Sequence, residues 1–413
     1  MTYKTLLVSE KIHDDYVQSL GGEIYQTSRW ALVKSNWNHE YVAVKDDNDI
    51  LGVALILYRK LPFTPYSLAY MPRGPVCDYS QPEHFKAILK ACMKAAKRHR
   101  AFTLKFDPQI SRDQHEWVKD YVKSIGGKHG GHKKGLAYNQ PNFLMITDMG
   151  DDEKALEKAM GSKTRNKIRK AMKNGITTEE ASLDDLDAFV KLMEITGSRD
   201  DFTTRNADYF RHILESLGSM GKLWLTTFHV KELLAIKQKE HDDLTKEAAK
   251  VQASIEKMQS GRKQEKAMRN LDSIQQRIKK AEHMIDELEA ELANGREDIV
   301  LSGSIMGYFN GTAYYMYAAS SNEYRELLPT YHMVWTLMSD ALNNGYRYFD
   351  FGGVSGYTSD ENKDDSARGL YEFKKHFASE QFETIGEFDI ELRPTINKLF
   401  ASGMKMRYKW RHR

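Results

Sequence analysis

The most regular pattern of the chain lies in LTKEAAKVQASIEKM (244–258) and LDSIQQRIKKAEHMIDELEAEL (271–292). Apolar residues recur in both segments at alternating spacings of three and four, the heptad pattern of helices that pack along their length. Those residues are Leu244, Ala248, Val251, Ile255, Met258, Leu271, Ile274, Ile278, Ala281, Ile285, Leu288 and Leu292. Ser260-Gly261 predicts a turn between the helices. We therefore expect an antiparallel helical hairpin over residues 238–294, with a coiled coil between two chains as the alternative.

Strand-like segments flank this hairpin. Residues 223–230 (LWLTTFHV) precede it and residues 299–306 (IVLSGSIM) follow it, and both are rich in residues that favour strands. The hairpin therefore reads as an insertion at the connection between two strands of one domain, where insertions are well tolerated.

The rest of the chain alternates strands and helices, in the same order in each half. Strands are predicted at 41–44, 50–58, 68–71, 102–106, 314–318 and 348–351, and helices at 81–98, 183–194, 209–217 and 330–343. This order predicts an α+β fold of two mixed α/β units with an inserted antiparallel coiled-coil arm. The two units resemble GNAT-type acetyltransferases, and that resemblance implies two GNAT-type subdomains. We assign residues 1–145 and 385–413 to subdomain A, residues 146–237 and 295–384 to subdomain B, and residues 238–294 to the arm.

Composition restricts the class of protein. A chain of 413 residues is long enough for two or three domains. Its 61 Lys and Arg against 58 Asp and Glu give a net charge of +3, which excludes a uniformly basic nucleic-acid packing protein. Two cysteines and the lack of any apolar run of about 18 residues predict a cytoplasmic protein without disulfide framework or membrane span.

Two short motifs in the first half set a cation among rigid or aromatic residues. MPRGPVCD (71–78) holds Arg73 between prolines, and WALVKSNW (30–37) holds Lys34 between tryptophans. Either cation suits an anionic ligand group, because fixed turns and rings orient what they bind. On the residues alone, an ordinary turn and a surface lysine beside core tryptophans are the simpler explanations.

Positive charge is concentrated in two segments. GSKTRNKIRKAMKNG (161–175) carries six cations and no acid, with Lys163, Lys167 and Lys170 on one predicted helix face. The tail MKMRYKWRHR (404–413) interleaves basic and aromatic residues. The helix suits a phosphodiester backbone, and the tail suits RNA or an anionic lipid surface. A solvated helix face and a solubilising tail are the alternatives.

A glycine-rich turn closes the last predicted strand in YFDFGGVSG (348–356), and EFKKH (372–376) follows it. Glycines let a ligand approach the backbone, although this pattern is weak by itself. The sequence lacks metal-ligand spacings, a Walker A loop, a nucleophile elbow and the pyrophosphate loop of acetyl-coenzyme A binders. We therefore expect neither a metal nor a bound cofactor.

Taken in order, these motifs resemble the Fem family of peptidoglycan-bridge aminoacyltransferases, most closely its streptococcal MurM/MurN branch. The resemblance rests on WALVKSNW (30–37), MPRGPVCD (71–78), KFDP (105–108), RNKIRKA (165–171), FGGVSG (351–356) and GLYEFKK (369–375), and on the position of the arm. It covers nearly the whole chain.

The resemblance implies an activity and its partners. An enzyme of this family moves an amino acid (Ala, Ser or Gly) from aminoacyl-tRNA to the stem-peptide lysine amine of a peptidoglycan precursor, either lipid II or a nucleotide-linked muropeptide. No cofactor is implied, because the tRNA ester is already activated. We expect a cytoplasmic monomer that works at the inner face of the membrane.

The resemblance also implies roles for individual residues. Phe373 and Lys374 match the pair beside the tRNA acceptor end, where Lys374 would stabilise an oxyanion, and Asp107 matches a candidate base. Residues assigned to the precursor are Lys34, Trp37, Arg73, Arg205, Tyr315 and Tyr317. The chain departs from the family in having His376 where a glycine is common.

The remaining assignments concern tRNA. Lys163, Lys167 and Lys170 of the basic segment, with Lys263 and Lys266 at the basic tip of the arm, are the expected tRNA contacts. Two other functions stay open: a different acyl- or aminoacyltransferase on the GNAT fold, and a non-catalytic RNA-binding protein that uses the arm.

Overall fold

A computed structural model describes residues 3–131, 140–356, 368–400 and 402 of the chain. The basic tail at 404–413 lies outside the described residues. It forms the end of the segment 385–413 that is assigned to subdomain A.

The strands of the described residues form two sheets. They are β1 (Lys4–Leu7), β2 (Asn38–Lys45), β3 (Ile50–Lys60), β4 (Ser67–Met71), β5 (Val76–Cys77), β6 (Ala101–Phe106), β7 (Lys128–His129), β8 (Phe143–Asp148), β9 (Ile176–Ala181), β10 (Gly221–His229), β11 (Asp298–Phe309), β12 (Thr312–Ser320), β13 (Tyr348–Val354), β14 (Glu380–Glu383) and β15 (Phe388–Glu391).

Helices cover and connect the sheets. The α-helices are α1 (Glu10–Ser19), α2 (Ser28–Val33), α3 (Pro82–Arg98), α4 (Trp117–Ser124), α5 (Glu153–Ala159), α6 (Ser162–Ala171), α7 (Leu186–Arg199), α8 (Ala207–Leu217), α9 (Val230–Glu256), α10 (Arg262–Ala293), α11 (Pro329–Asn343) and α12 (Arg368–Lys375). Residues 394–400 are also helical.

The first sheet has the order β1-β2-β3-β4-β6-β15-β7, with β5 paired to β3. Its one parallel pair among the described strands, β4 with β6, is connected through α3. The helix begins with Pro82 in its first turn and packs Phe85, Ile88 and Cys92 into the core beneath the sheet. Strand β15 returns from the far end of the chain to pair with β6.

The second sheet has the order β14-β8-β13-β12-β11-β10-β9. Its parallel pair, β12 with β13, is connected through α11, so each sheet has one strand–helix–strand crossover. The predicted boundary at residue 145 falls inside β8, all of which pairs in the second sheet. A shared core joins the two halves: Val17, Ile24 and Val53 pack in one cluster with Phe189 and Phe210.

The arm is a helical hairpin within one chain, as the heptads predict. Helices α9 and α10 have 27 and 32 residues, which makes them about 40 and 48 Å long. Among the seam residues, Leu244, Ile255, Ile274, Ala281 and Leu288 are buried, whereas Met258 near the tip is 37% exposed.

The base of the arm is built on paired strands. Residues His229 and Asp298 are register partners at the ends of β10 and β11, and the N–H of Val230 donates to the carbonyl oxygen of Glu297 at 2.8 Å. The arm thus begins at Val230, eight residues before the predicted start. Leu288 packs there against Phe228 and Leu327. The arm therefore takes the place of the loop of a β-hairpin.

Every predicted strand and helix forms, and four of the seven described strands that the pattern missed lie at the edges of the two sheets. Strands β1, β7, β9 and β14 lie at the ends of the two sheets. Edge strands such as β9 (ITTEEA) and β14 (EQFE) bury few side chains, so they carry little apolar alternation to detect. Within the described ranges, no helix has an apolar stretch long enough to span a bilayer.

The seam of the arm gives a stability prediction. Leu288→Ala removes a fully buried side chain at the base, and we expect it to lower the free energy of unfolding by about 2–5 kcal/mol. Met258→Ala changes an exposed position on the same seam and should have little effect. Urea titrations followed by helical circular dichroism measure both, and equal losses in the two variants would contradict the packing described above.

Candidate active site

The second sheet opens between its two parallel strands. β12 and β13 pair only from Thr312 with Tyr348 to Tyr314 with Asp350. Beyond that pair β12 continues against β11, whereas β13 continues against β8 after a register shift. Gly352 lies in this shift with a φ of 72°, a conformation that favours glycine. We call the region beyond the Tyr314–Asp350 pair the strand opening.

Lys374 reaches the strand opening from α12. The residue is 5% exposed, and its Nζ donates a hydrogen bond to the carbonyl oxygen of Gly353 at 2.7 Å. Burial lowers the pKa of the Lys374 ammonium to about 8, and the charge of Asp350 opposes that shift. The carboxylate of Asp350 accepts a hydrogen bond from the N–H of Gly352 at 2.7 Å. Lys374 and Asp350 therefore face the same break in the sheet.

The MPRGPVCD turn brings Arg73 and Asp107 together. The N–H of Arg73 donates to Asp107 Oδ1 at 3.0 Å, and the hydroxyl of Tyr70 donates to both carboxylate oxygens at 3.2 and 3.1 Å. Arg73 Nη2 donates to the carbonyl oxygen of Pro141 at 3.1 Å, while its buried Nε has no hydrogen-bond partner among the described residues. The carboxylate of Asp107 is thus occupied by the turn that it holds.

Glu23 is a carboxyl group at this place that no sequence motif singled out. The hydroxyl of Tyr314 donates to Glu23 Oε2 at 2.6 Å. Burial raises the pKa of Glu23 to about 7, the Tyr314 hydrogen bond opposes that shift, and the charges of Asp350 and Arg73 also act on it. We call Glu23, Arg73, Asp107, Asp350 and Lys374 the charged centre.

The charged centre holds more carboxyl groups than cations. Burial raises the pKa of Asp107 to about 6 against the charge of Arg73, and burial also raises the pKa of Asp350. Two cations neutralise at most two of the three carboxylates, so one carboxyl group is poised to hold a proton near neutral pH. A group of this kind can accept a proton from a reacting amine.

Two cations from different halves meet at a second place. Lys34 ends α2, with its Nζ 5.1 Å from the Trp30 ring, and Arg205 lies just before α8, 5.2 Å from the Tyr209 ring. Burial, and then the charge of Arg205, lowers the pKa of Lys34. Like charges held together favour an anion between them, so this pair suits a phosphate or a carboxylate.

A β-bulge separates the two tyrosines predicted to line one groove. Ile305 pairs with Tyr317 and the next residue, Met306, pairs with Tyr315, so Met316 is an extra residue in β12. Tyr315 packs against Phe351 on one face, at 5.8 Å between ring centroids. Tyr317 lies on the other face, where its hydroxyl is 3.0 Å from that of Tyr209. Only Tyr317 therefore joins the Lys34–Arg205 pair.

Trp37 lies at the border of the same region. The guanidinium of Arg59 sits 5.8 Å from the Trp37 ring, which packs beside Ala31, Tyr41 and Leu55. Trp37 therefore lies next to the segment that carries Lys34, directly before β2 of the first sheet.

Phe373 and Lys167 lie near each other on the face of the second sheet that is opposite to the Lys34–Arg205 pair. Lys167 of α6 donates to the hydroxyl of Tyr331 at 2.9 Å, and the same hydroxyl lies 2.9 Å from His376 Nδ1. The ring of Phe373 meets that of Tyr331 edge-on at 5.7 Å. The basic helix is therefore connected through Tyr331 to the segment that carries Lys374.

The other basic candidates are solvent-exposed. Lys163 and Lys170 lie on the surface of α6, close to Lys167 along the helix. Lys263 and Lys266 lie in the first turns of α10, at the tip of the arm, so about 40 Å of helix separates them from its base. The structure does not bring these two residues near the strand opening.

The sequence missed Glu23, Tyr314 and Tyr331. Glu23 stands in a short connection before α2 with no motif around it, and Tyr314 and Tyr331 are aromatic residues in segments that read as core. Their roles depend on contacts between distant segments. Among the residues that the structure describes, no group of His, Cys, Asp or Glu is arranged to hold a metal ion.

Comparisons with known proteins agree with this architecture. The "lipid II:glycine glycyltransferase" of Staphylococcus aureus strain MRSA252 is 36% identical over 400 residues, covering 95% of this chain and 94% of that protein, and its counterpart from strain NCTC 8325 is similar to the same extent. The crystal structure of FemX superposes with a TM-score of 0.79 at 35% identity, covering 96% of this chain and 99% of that one.

A more distant structure supports the fold alone. A tandem GNAT protein from the clavulanic acid pathway superposes with a TM-score of 0.50 at 8% identity, covering 94% of this chain and 98% of that one. The expectation of two GNAT-type units with an inserted arm is therefore confirmed. The FemAB family matches residues 8–403, and with the relatives above this establishes that the chain belongs to the FemAB family.

Proposed function

We propose that this protein is an aminoacyltransferase that moves an amino acid from aminoacyl-tRNA to the stem-peptide lysine amine of lipid II and so builds the interpeptide bridge. Family membership and the relatives named for lipid II and glycine support this activity. The observation that carries it is the strand opening, where Lys374 and the charged centre lie between two separate sets of cations.

The acceptor is assigned to the Lys34 side. A lipid II diphosphate would meet Lys34 and Arg205, whose mutual repulsion an anion relieves. Tyr209 and Tyr317 form the hydroxyl pair beside these cations. Arg73, with its buried Nε unpartnered among the described residues, is a further donor for the precursor.

The donor is assigned to the side of α6. Lys163, Lys167 and Lys170 offer charge to the tRNA backbone, and Phe373 offers a ring edge beside Tyr331 for the acceptor end. The tip of the arm, with Lys263 and Lys266, is a second basic surface for the body of the tRNA.

The chemistry needs a base and an oxyanion partner. A stem-peptide amine has an ordinary pKa of about 10.4 and must lose a proton before it attacks. Glu23 accepts that proton in our proposal, and the amine nitrogen then bonds to the ester carbonyl carbon. Lys374 stabilises the oxyanion that forms. The ester C–O bond breaks, and the ribose oxygen of the tRNA leaves with the proton that the attacking nitrogen loses as it becomes the amide nitrogen.

Incubation with charged tRNA and lipid II tests the activity. We expect incorporation of glycine, alanine or serine into the precursor, and a panel of the three charged tRNAs identifies the amino acid. A protein that incorporates none of them, but is stabilised against heat by acetyl-coenzyme A, would instead be an acyl-coenzyme A-dependent acyltransferase.

Lys374→Met tests the oxyanion role. The substitution keeps most of the side-chain volume and removes the charge, so we expect the transfer rate to fall by about 10²-fold or more. Lys375→Met is the matched control, because Lys375 is the exposed neighbour on the same helix. Full activity of the Lys374 variant would remove this residue from the mechanism.

Glu23→Gln tests the base. Glu23 must be ionised to accept a proton, so wild-type activity should rise with pH through about 7, and the variant should lose most activity and this limb of the profile. Tyr314→Phe removes a hydrogen bond that lowers the pKa of Glu23, so its limb should move to higher pH. An unchanged pH profile in both variants would rule Glu23 out as the base.

A further inference from the structure

One strand connection of the first sheet exposes an aromatic ring that none of the described residues covers. Phe63 sits at the tip of the β3–β4 connection, fully exposed, between Pro62 and Pro65. Its φ is 59°, a left-handed conformation that is unfavourable for a residue with a Cβ. Neither burial nor an easy backbone geometry accounts for a phenylalanine here, and such combinations point to function.

Cations are concentrated at the same end of the sheet. Three segments lie at this end of the sheet: residues 59–66, 97–100 and 393–400. Together they contain seven Lys or Arg and no Asp or Glu: Arg59, Lys60, Lys97, Arg98, Arg100, Arg393 and Lys398. All seven are exposed, as is Leu399. We call these segments the basic edge.

Contacts between their residues hold the three segments together. The N–H of Ser67 donates to the carbonyl oxygen of Arg100 at 3.3 Å, which joins the β3–β4 connection to the end of α3. The guanidinium of Arg393 lies 5.6 Å from the Tyr66 ring. The backbone N–H of Arg393 donates to the carbonyl oxygen of Phe102 at 2.9 Å. The basic edge is therefore one surface built from distant parts of the chain.

Acids do not cancel this charge. Glu40 pairs with Arg98 and His99, and Glu391 pairs with Lys128. The sum over the edge therefore stays strongly positive even with both acids counted.

The basic edge continues into the proposed acceptor site. Arg59 covers the Trp37 ring at 5.8 Å, and Trp37 ends the segment that carries Lys34. A precursor held by a lipid tail keeps its diphosphate at the bilayer surface. A protein that grips that diphosphate through Lys34 must itself touch the surface nearby.

We propose that the basic edge docks on a membrane surface of anionic phospholipids, with Phe63 and Leu399 entering the headgroup layer and the seven cations facing the phosphates. Aromatic residues favour the membrane–water interface, and clustered Lys and Arg are attracted to anionic leaflets. Two apolar side chains that protrude from a charged surface fit a lipid interface better than an RNA backbone. The proposal rests on the proposed function for its purpose, but lipid binding is measurable without it.

Sedimentation with vesicles tests the docking. The full chain should bind vesicles made of equal parts phosphatidylglycerol and phosphatidylcholine, and bind phosphatidylcholine alone far less. Phe63→Ser should weaken binding to the anionic vesicles by about tenfold, from the lost burial of one ring. Lys60→Ser with Lys398→Ser should weaken it by about fivefold for each cation. Met268→Ser, an exposed apolar residue of the arm, is the control and should bind like wild type.

Two results would overturn the proposal: wild-type protein that does not distinguish the two vesicle types, or Phe63→Ser that binds anionic vesicles like wild type. Loss of tRNA binding in Phe63→Ser, with vesicle binding intact, would assign the edge to RNA instead. Transfer assays separate this question from the catalytic one. Phe63→Ser should lose activity on lipid II in anionic vesicles and keep it on lipid II in neutral detergent micelles, whereas failure of the proposed function abolishes wild-type activity on both.

Discussion

The charged centre is the constraint on which the rest of the site depends. Placing five ionisable groups between two sheets is unfavourable, because each loses its hydration. The structure offsets this with fixed partners: the Arg73 turn for Asp107, the Tyr314 hydroxyl for Glu23 and the Gly352 N–H for Asp350. Of these three bonds, the one from Tyr314 to Glu23 joins the two halves, so Glu23 keeps its partner only while the halves stay in register. A core built of apolar residues alone would tolerate a displacement of one half relative to the other far better.

The strand opening connects the two faces of the second sheet. In a fully paired sheet, groups on one face cannot reach groups on the other. Here the parallel pair ends at Tyr314 and Asp350, so Lys374 from one side and Glu23 from the other approach the same break. On the proposed assignment, donor and acceptor occupy separate surfaces and meet only there. Two substrates bound on separate surfaces need not leave in turn, so we expect both to be present together during transfer.

Sequence reasoning succeeded where the signal is local and repeated. The heptads of the arm, the amphipathic face of α3 and the alternation in the central strands predicted those elements. Each apolar residue there packs against one neighbouring surface, so the spacing of apolar residues follows the geometry of the element. It also singled out Lys374, Arg73 and Lys34, which stand in recognisable motifs and whose roles stay predictions. It could not find Glu23, since a glutamate in a short connection has no pattern. Its importance arises only when β12 and the Arg73 turn pack against it.

The assignment of Asp107 and of the two tyrosines shows a second limit. Asp107 was expected as a base, yet its carboxylate is committed to the turn beneath it. Tyr315 and Tyr317 are two positions apart, and strict alternation would put them on one face. No composition or spacing reveals the extra residue between them.

That extra residue, Met316, has a consequence for how this family can change. In β12 the number of residues in the strand, and not only their identity, decides which side chain faces which ligand. Removing Met316 itself would leave Tyr317 opposite Ile305 and Tyr315 opposite Met306, so both tyrosines would keep their faces, whereas a one-residue change at a regularly paired position would shift the register and turn side chains to the other face. Substitutions in this strand adjust the site gradually. A single insertion or deletion at a paired position would instead exchange its two faces in one step, so alignments of this strand have to be judged by register before identity.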